Sequence, residues 1–280
     1  MECARISRRN DPTRDSRDYQ RTTCWQITER GRSETTPEWL LVASPPDDFF
    51  QFKVEDICQV YELAVERAKH GELTFSLDEM PGIQALERKM PDIAMKPGRC
   101  VKHEFEYIRH GTQTLIASFN VATGAIALAT VEDTRTEKDF EAHVSHLLEQ
   151  FPQASKYHLV MDCLNTHQSE ALVRLVAKLE SDSLDLGEKG KSGILKSMPT
   201  RAEFLADPHH RLVVHFTPKH CSWLNQIEIW FSILVRKLLR RGNFISKDDL
   251  KQRILDFVKY FNLTMAKPFK WTYKGKPLAA

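Results

Sequence analysis

The sequence has no long apolar run and no paired-cysteine motif. No stretch of its 280 residues approaches the roughly 20 apolar residues of a membrane span. The N-terminal MECARISRRNDP lacks the apolar core of a signal peptide. The 6 cysteines are scattered without a C-x-x-C pair, which argues against a zinc ribbon and a disulfide framework. We therefore expect a cytoplasmic protein with reduced thiols and no membrane partner.

The chain also lacks an excess of charge of either sign. Its 40 lysines and arginines are nearly balanced by 38 acidic residues, which gives a net charge of +2. So small a net charge gives no evidence for nucleic acid by itself, and only the placement of the cations bears on that question. With 41% hydrophobic and 28% charged residues, the composition is ordinary for a globular protein with one large or two modest cores.

Lysine is missing from the first part of the chain. Residues 1–48 are rich in arginine, the first lysine is Lys53, and no helical or strand period is sustained there. We interpret residues 1–48 as a disordered or remnant leader, although the same arginines would suit an arm that touches nucleic acid. We expect a folded domain at 49–262, with a polar insertion at 181–210, and a basic aromatic tail at 263–280.

Hydrophobic alternation and helical periodicity predict an α/β protein. Predicted strands cover residues 73–78, 101–108, 113–120, 125–131, 157–161 and 212–216, with turns at Pro81-Gly82, His110-Gly111 and Thr123-Gly124. Predicted helices begin near Val54, after Thr134, near Ser169, after a capping Ser222 and at Ser246.

Three acidic residues stand out for their positions. Asp78 ends a predicted strand, Asp162 ends the buried strand YHLVM, and Glu228 lies between Ile227 and Ile229 at the start of a helix. The carboxyl ends of neighbouring strands converge on one crevice, so these acids are candidates to meet there. Packed carboxylates repel unless a divalent cation compensates them, and hard oxygen ligands suit Mg²⁺ or Mn²⁺. The alternative is that the aspartates are strand-end turn residues and Glu228 is a solvated surface acid.

The helix that carries Glu228 ends in a group of cations. These cations either complement the helix dipole or hold a polyanion. The candidate DNA contacts are Lys219, Trp223, Asn225, Arg236, Lys237, Arg240 and Arg241. Two divalent ions about 3.5–4 Å apart would activate a water or a 3′-hydroxyl for in-line attack on phosphorus, which is the chemistry of nucleases and strand transfer.

The GEKGKSG segment at 187–193 does not predict a nucleotide cofactor, because Asp185 stands where a phosphate loop requires glycine.

Three segments carry a resemblance to a known family. SLDEMPGIQALER (76–88), YHLVMDCLNTHQSEALVRLV (157–176) and VHFTPKHCSWLNQIEIWFSILVRKLLRRGNF (214–244), with the closing AKPFKWTYKGKP, resemble transposases of the insertion-sequence 630 family in the Tc1/mariner group. The resemblance implies a ribonuclease H-like α/β fold, with a mixed five-stranded sheet of three antiparallel strands and then two parallel ones, flanked by helices. It assigns Asp78, Asp162 and Glu228 as the catalytic acids that bind two Mg²⁺ or Mn²⁺ ions. It also implies a nucleoid-associated homodimer on double-stranded DNA, which cleaves at terminal inverted repeats and inserts at a TA dinucleotide.

The sequence departs from that family in three places. Cys163 replaces the asparagine that follows the second acid, while Leu164 to His167 match the motif. The segment 181–210 lengthens the gap before Glu228, and residues 1–48 do not match the usual helix-turn-helix modules, which predicts a truncated or rearranged copy. Two other functions stay open: a ribonuclease H-like nuclease without strand transfer, and a catalytically incompetent DNA-binding remnant.

Overall fold

The computed structural model describes residues 49–91, 93–100, 104–181 and 184–273. The predicted leader at 1–48 and the end of the predicted tail, 274–280, lie outside the described residues. Within the described ranges, no helix combines the length and the hydropathy that a membrane crossing requires.

Among the described residues, a five-stranded sheet forms the centre of the domain. Its strands are β1 (Glu72–Arg88), β2 (Tyr107–Asn120), β3 (Ile126–Glu132), β4 (Lys156–Met161) and β5 (Leu212–Phe216). The strand order is β3-β2-β1-β4-β5. The pairs β1/β2 and β2/β3 are antiparallel, whereas β1/β4 and β4/β5 are parallel. This arrangement confirms the ribonuclease H-like prediction of three antiparallel strands followed by two parallel ones.

In the described part of the chain, six α-helices cover the two faces of the sheet. They are α1 (Phe50–Lys69), α2 (Glu137–Gln150), α3 (Glu170–Glu180), α4 (Met198–Leu205), α5 (Ile227–Lys237) and α6 (Lys247–Thr264). One hydrophobic cluster joins α1, α5 and α6 to the sheet, and a second joins α2, α3 and α4 to its other face. Strand β4 contributes Val160 to the first cluster and Leu159 to the second, as its continuous apolar sequence predicts.

Two predicted strand ends are wrong. Strand β1 does not end at Asp78, because antiparallel pairing with β2 continues to Arg88. The Pro81-Gly82 pair forms an irregularity in the register rather than a turn, with Gly82 at a φ of 67°. Likewise, His110-Gly111 lies inside β2, where Gly111 adopts a φ of 116°, so the two strands predicted on either side are one strand. Residues 101–103 of the first of them lie outside the described residues.

The start of α5 also differs from the prediction. Ser222 does not cap this helix, because Ser222–Leu224 forms a separate 3-10 turn and α5 begins only at Ile227. The helix ends at Lys237, and Arg240 and Arg241 lie in a second 3-10 turn, Leu239–Arg241. By contrast, α6 begins directly after Ser246, whose side chain accepts the Asp249 N–H, as predicted.

The segment 181–210 is more than a polar surface insertion. Its Leu186, Leu195 and Leu205 are buried in the second hydrophobic cluster, and α4 begins at a capping box formed by Ser197 and Thr200. Residues 182 and 183 lie outside the described residues. The described part of this segment therefore belongs to the core on the α3 side of the sheet.

Candidate active site

The two aspartates lie at the same edge of the sheet. Parallel pairing between β1 and β4 ends with Ser76 opposite Val160. Asp78 is two residues beyond that pair on β1, and Asp162 directly follows the last residue of β4. The carboxyl edge of two neighbouring parallel strands therefore carries both acids, although β1 itself continues past Asp78.

Asp78 is a buried carboxylate, with 7% of its surface exposed. Burial raises the pKa of Asp78 to about 7, the charge of His167 opposes that shift, and the charges of Asp162 and Glu228 add to it. The Glu79 N–H donates to Asp78 Oδ1 at 2.8 Å, which also lowers the pKa. In the absence of a bound cation, Asp78 is thus only partly ionised at neutral pH.

Glu228 lies in the first turn of α5 and is half-buried. Burial raises the pKa of Glu228, and the charge of Asp162 raises it further. Each of the three predicted acids therefore acts electrostatically on at least one other. Asp78 on β1, Asp162 after β4 and Glu228 on α5 are thus within electrostatic reach of one another.

Asp162 is held by groups that follow it in the chain. Its Oδ1 accepts the Leu164 N–H at 2.9 Å and lies 2.7 Å from His167 Nδ1. Burial tends to raise the pKa of Asp162, but the hydrogen bond and charge of His167 outweigh burial and lower it. No hydrogen bond within the described residues reaches Asp162 Oδ2, and a third of this side chain is exposed.

His167 and Glu79 form a buried ion pair next to Asp162. Both side chains are almost fully buried, with His167 Nε2 3.7 Å from Glu79 Oε1, and Glu79 also accepts the Thr166 hydroxyl at 3.2 Å. Burial would lower the pKa of His167, but the hydrogen bond to Asp162 and the charges of Glu79 and Asp162 raise it to about 10. At neutral pH, His167 is therefore a cation between two carboxylates.

The sequence analysis did not assign a role to either Glu79 or His167. Glu79 adjoins Asp78, and His167 closes the NTH motif that follows Asp162, so proximity to the predicted acids was the available signal. One ligand atom each from Asp78, Glu79 and His167 lies within 4.8 Å of the others.

Asn225 connects β1 to the start of α5. Its Nδ2 donates to Leu77 O at 2.7 Å and to Asp78 Oδ2 at 3.3 Å, and its Oδ1 accepts the Ser76 hydroxyl. Ser76 Oγ in turn accepts the Ile227 N–H at 2.8 Å. Asn225 is 0% exposed, so the expectation that it touches DNA directly is wrong for this conformation. Its contacts orient Asp78 instead.

The other predicted DNA contacts are on the surface. Trp223 is 52% exposed in the 3-10 turn before α5, and Lys219 is exposed just before that turn. Arg236 and Lys237 lie exposed at the end of α5, whereas Arg240 and Arg241 are exposed in the following turn. The basic group is thus divided between a helix and a turn rather than continuing along one helix.

Cys163, the departure from the family motif, is used structurally. Its thiol donates to Thr217 O at 3.1 Å and so ties the end of β4 to the end of β5. Among the described cysteines, Cys58, Cys100 and Cys221 are free thiols.

The donor set of the site fits a hard divalent cation. Asp78, Asp162 and Glu228 offer carboxylate oxygens, and their mutual repulsion would be relieved by bound positive charge. Asp162 Oδ2 accepts no hydrogen bond within the described residues, and the Asp162 side chain is partly exposed. Oxygen ligands of this kind are those that Mg²⁺ and Mn²⁺ prefer.

One family model and several solved structures match this chain. The family model of the DDE superfamily endonucleases matches residues 74–251. The chain is similar to the Mos1 transposase paired-end complex with left transposon end, with 11% identity and a TM-score of 0.47 over 82% of this chain and 60% of that one. The Mos1 mariner paired end complex with Mn shares 12% identity with this chain at a TM-score of 0.44, over 78% of this chain and 58% of that one. The Mos1 transposase catalytic domain with Raltegravir and Mg shares 10% identity with this chain at a TM-score of 0.40, over 77% of this chain and 85% of that one.

This chain spans 58–60% of the length of the Mos1 chains in the two paired-end complexes. A search of curated proteins found no match to the sequence.

Proposed function

This chain belongs to the family of DDE superfamily endonucleases, and from that premise we propose that it is a transposase catalytic domain that cuts DNA and joins it to a target. The observation that carries the proposal is the electrostatic coupling of Asp78, Asp162 and Glu228 at the carboxyl edge of β1 and β4. A buried aspartate within a strand that feels the charge of two other carboxylates costs folding free energy, which a purely structural residue would not require.

In the proposed site, Asp78, Asp162 and Glu228 would hold two Mg²⁺ or Mn²⁺ ions. Such ions would supply the acidity that turns a water or 3′-hydroxyl into a nucleophile and would stabilise the leaving oxygen. The protein contributes the fixed positions of its carboxylates. Asn225 and the Glu79 N–H orient Asp78, while His167 and the Leu164 N–H fix one oxygen of Asp162 and leave the other without a hydrogen bond among the described residues.

The partner is double-stranded DNA, held through its phosphates by the exposed basic residues. Glu228 and Arg236 are both on α5, and at 1.5 Å per residue their eight-residue separation spans about 12 Å along the helix. A strand whose scissile phosphate lies at Glu228 therefore continues toward Arg236 and Lys237, and Lys219 and Trp223 flank the cut on the other side. Substrates of this kind are the terminal inverted repeats of an element and a TA target, engaged by a homodimer.

The test uses the purified full chain and a plasmid that carries the genomic DNA flanking its reading frame. We expect strand cleavage with Mg²⁺ or Mn²⁺ and none with chelator, and with pre-cut ends we expect joined products inserted at TA. Cleavage without joining would identify a nuclease without strand transfer. Binding without cleavage would identify a DNA-binding remnant and refute the enzymatic proposal.

A further inference from the structure

After α6 the chain crosses the domain as a strap, residues 266–273. The strap has no regular secondary structure, but it is anchored to the core. Its backbone passes so close to Gly124 that a Cβ there would lie 2.0 Å from Lys267 C. Phe269 then stacks on the buried Phe119, with ring centroids 4.8 Å apart and planes 9° apart. These contacts fix the path of the strap toward α1.

The end of the strap lies on α1. The Trp271 ring meets Tyr61 edge-on at 4.8 Å, and its Nε1–H points to Cys58 Sγ at 3.5 Å. The Cys58 thiol lies 3.5 Å from Tyr273 O, to which it donates. The Tyr273 ring contacts Trp223 at 5.1 Å, in the 3-10 turn before α5. The strap thus joins α1 to the turn that leads into the active-site helix.

Tyr61 also contacts the residues that lead into the active-site helix. Its buried hydroxyl donates to Leu224 O at 3.0 Å and accepts the Gln226 N–H at 3.2 Å. Burial raises the pKa of Tyr61, so the group stays a neutral donor. Leu224 and Gln226 are the two neighbours of Asn225.

The residues that Tyr61 contacts lie at the junction between the 3-10 turn and α5. Asn225 has an extended backbone between a three-residue 3-10 turn and α5, and its side chain and carbonyl serve the site directly. Its Nδ2 donates to Asp78 Oδ2 at 3.3 Å, and its carbonyl accepts the Glu228 N–H at 3.1 Å. Contacts from outside this junction therefore determine where Asn225 and Glu228 lie relative to Asp78.

We propose that Trp271 and Tyr61 are positioning residues for the active site, through which the strap holds the Leu224–Glu228 segment against β1. Neither residue touches the reacting atoms. The proposal rests on the proposed function for its catalytic consequence, but the positioning itself is a property of the free protein. Loss of the strap contact allows the segment to move while the sheet stays folded.

The first test measures hydrogen exchange in the full chain without metal or DNA. Tyr61→Phe removes both hydrogen bonds to the segment, and we expect amide exchange in residues 222–230 to be about 10-fold faster. Trp271→Ala should change the same region in the same direction. The matched control is Val173→Ala, a buried residue of α3 in the other hydrophobic cluster. Acceleration at 222–230 no greater than in this control would overturn the proposal.

The second test separates positioning from binding. At saturating DNA, Tyr61→Phe and Trp271→Ala should slow single-turnover cleavage about 10-fold with an unchanged DNA Kd, while Trp271→Phe, which keeps a ring against Tyr61, should recover most of the rate. Faster exchange with an unchanged cleavage rate would overturn the positioning role. If the wild-type chain cleaves no DNA, the proposed function fails, and the exchange experiment alone decides whether the strap holds the segment.

Discussion

Replacing Asn225 with alanine tests how strongly the site depends on a buried residue that is not one of the three acids. The change removes the amide donor to Leu77 O and Asp78 Oδ2 and the acceptor of the Ser76 hydroxyl. At about 1 kcal/mol for each buried hydrogen bond, Asn225→Ala should lower the free energy of unfolding by about 3 kcal/mol. Because a displacement near 1 Å in a catalytic group costs about 10²-fold in rate, we expect cleavage to fall by that order.

Asn120→Ala is the matched control for this variant. Asn120 is also a buried asparagine, and its Oδ1 accepts the N–H groups of Ala122 and Thr123 at 3.0 and 3.1 Å, in the turn between β2 and β3. We expect a stability loss of about 2 kcal/mol from its two lost hydrogen bonds. Cleavage by the folded fraction should be unchanged. Urea denaturation gives both stabilities, and single-turnover cleavage with Mn²⁺ at a temperature where both variants are folded gives both rates. Equal rates for the two variants would refute the positioning of Asp78 by Asn225.

Three further changes test the charges of the site and of the basic surface. Without metal, Asp78 with its pKa near 7 binds more protons in the folded than in the unfolded protein between pH 4 and 7, so its contribution to stability falls as pH rises through this window. Asp78→Asn should remove this pH-dependent loss of stability and raise the free energy of unfolding at pH 8 by about 2–4 kcal/mol. An unchanged pH dependence in urea denaturation would contradict this expectation. His167→Ala leaves Glu79 buried without its cation and should lower the free energy of unfolding by about 3 kcal/mol. The double variant Glu79→Gln/His167→Ala should recover part of that loss. Additive losses would show that the pair is not coupled. Replacing Arg240 and Arg241 by glutamine should reduce the slope of log DNA affinity against log salt by about 2, while Arg174→Gln on α3 should leave it unchanged, and equal slopes in all three proteins would exclude these phosphate contacts.

Local sequence patterns were sufficient to predict much of the architecture. The continuous apolar run of β4 and the helical period that begins at Ser246 are local signals, and both elements were found in the structure. The position of Asp162 directly after β4 follows from the first of them. The order and direction of the strands came from the family resemblance, since periodicity alone does not determine which strands are neighbours.

The predictions that failed depend on contacts between distant parts of the chain. Pro81-Gly82 and His110-Gly111 have the composition of turns, but the pairing of β1 with β2 carries both strands through them. The burial of Asn225 follows from its bonds to β1, which the sequence around it does not encode. The contact of His167 with Glu79 likewise joins the turn after β4 to the middle of β1. Polar residues of this kind resemble surface residues until the tertiary structure provides their partners.

The most direct test of a shared cation site at Asp78, Asp162 and Glu228 is calorimetric titration of the DNA-free chain with Mn²⁺. We expect saturable binding to the wild type and at least about 10-fold weaker binding to Asp162→Asn and to Glu228→Gln, a loss of 1.4 kcal/mol or more for one ligand. Asp133→Asn removes an acid at the surface near Lys247 and should bind as the wild type does. No binding to the wild type, or equal binding to all four proteins, would contradict the account.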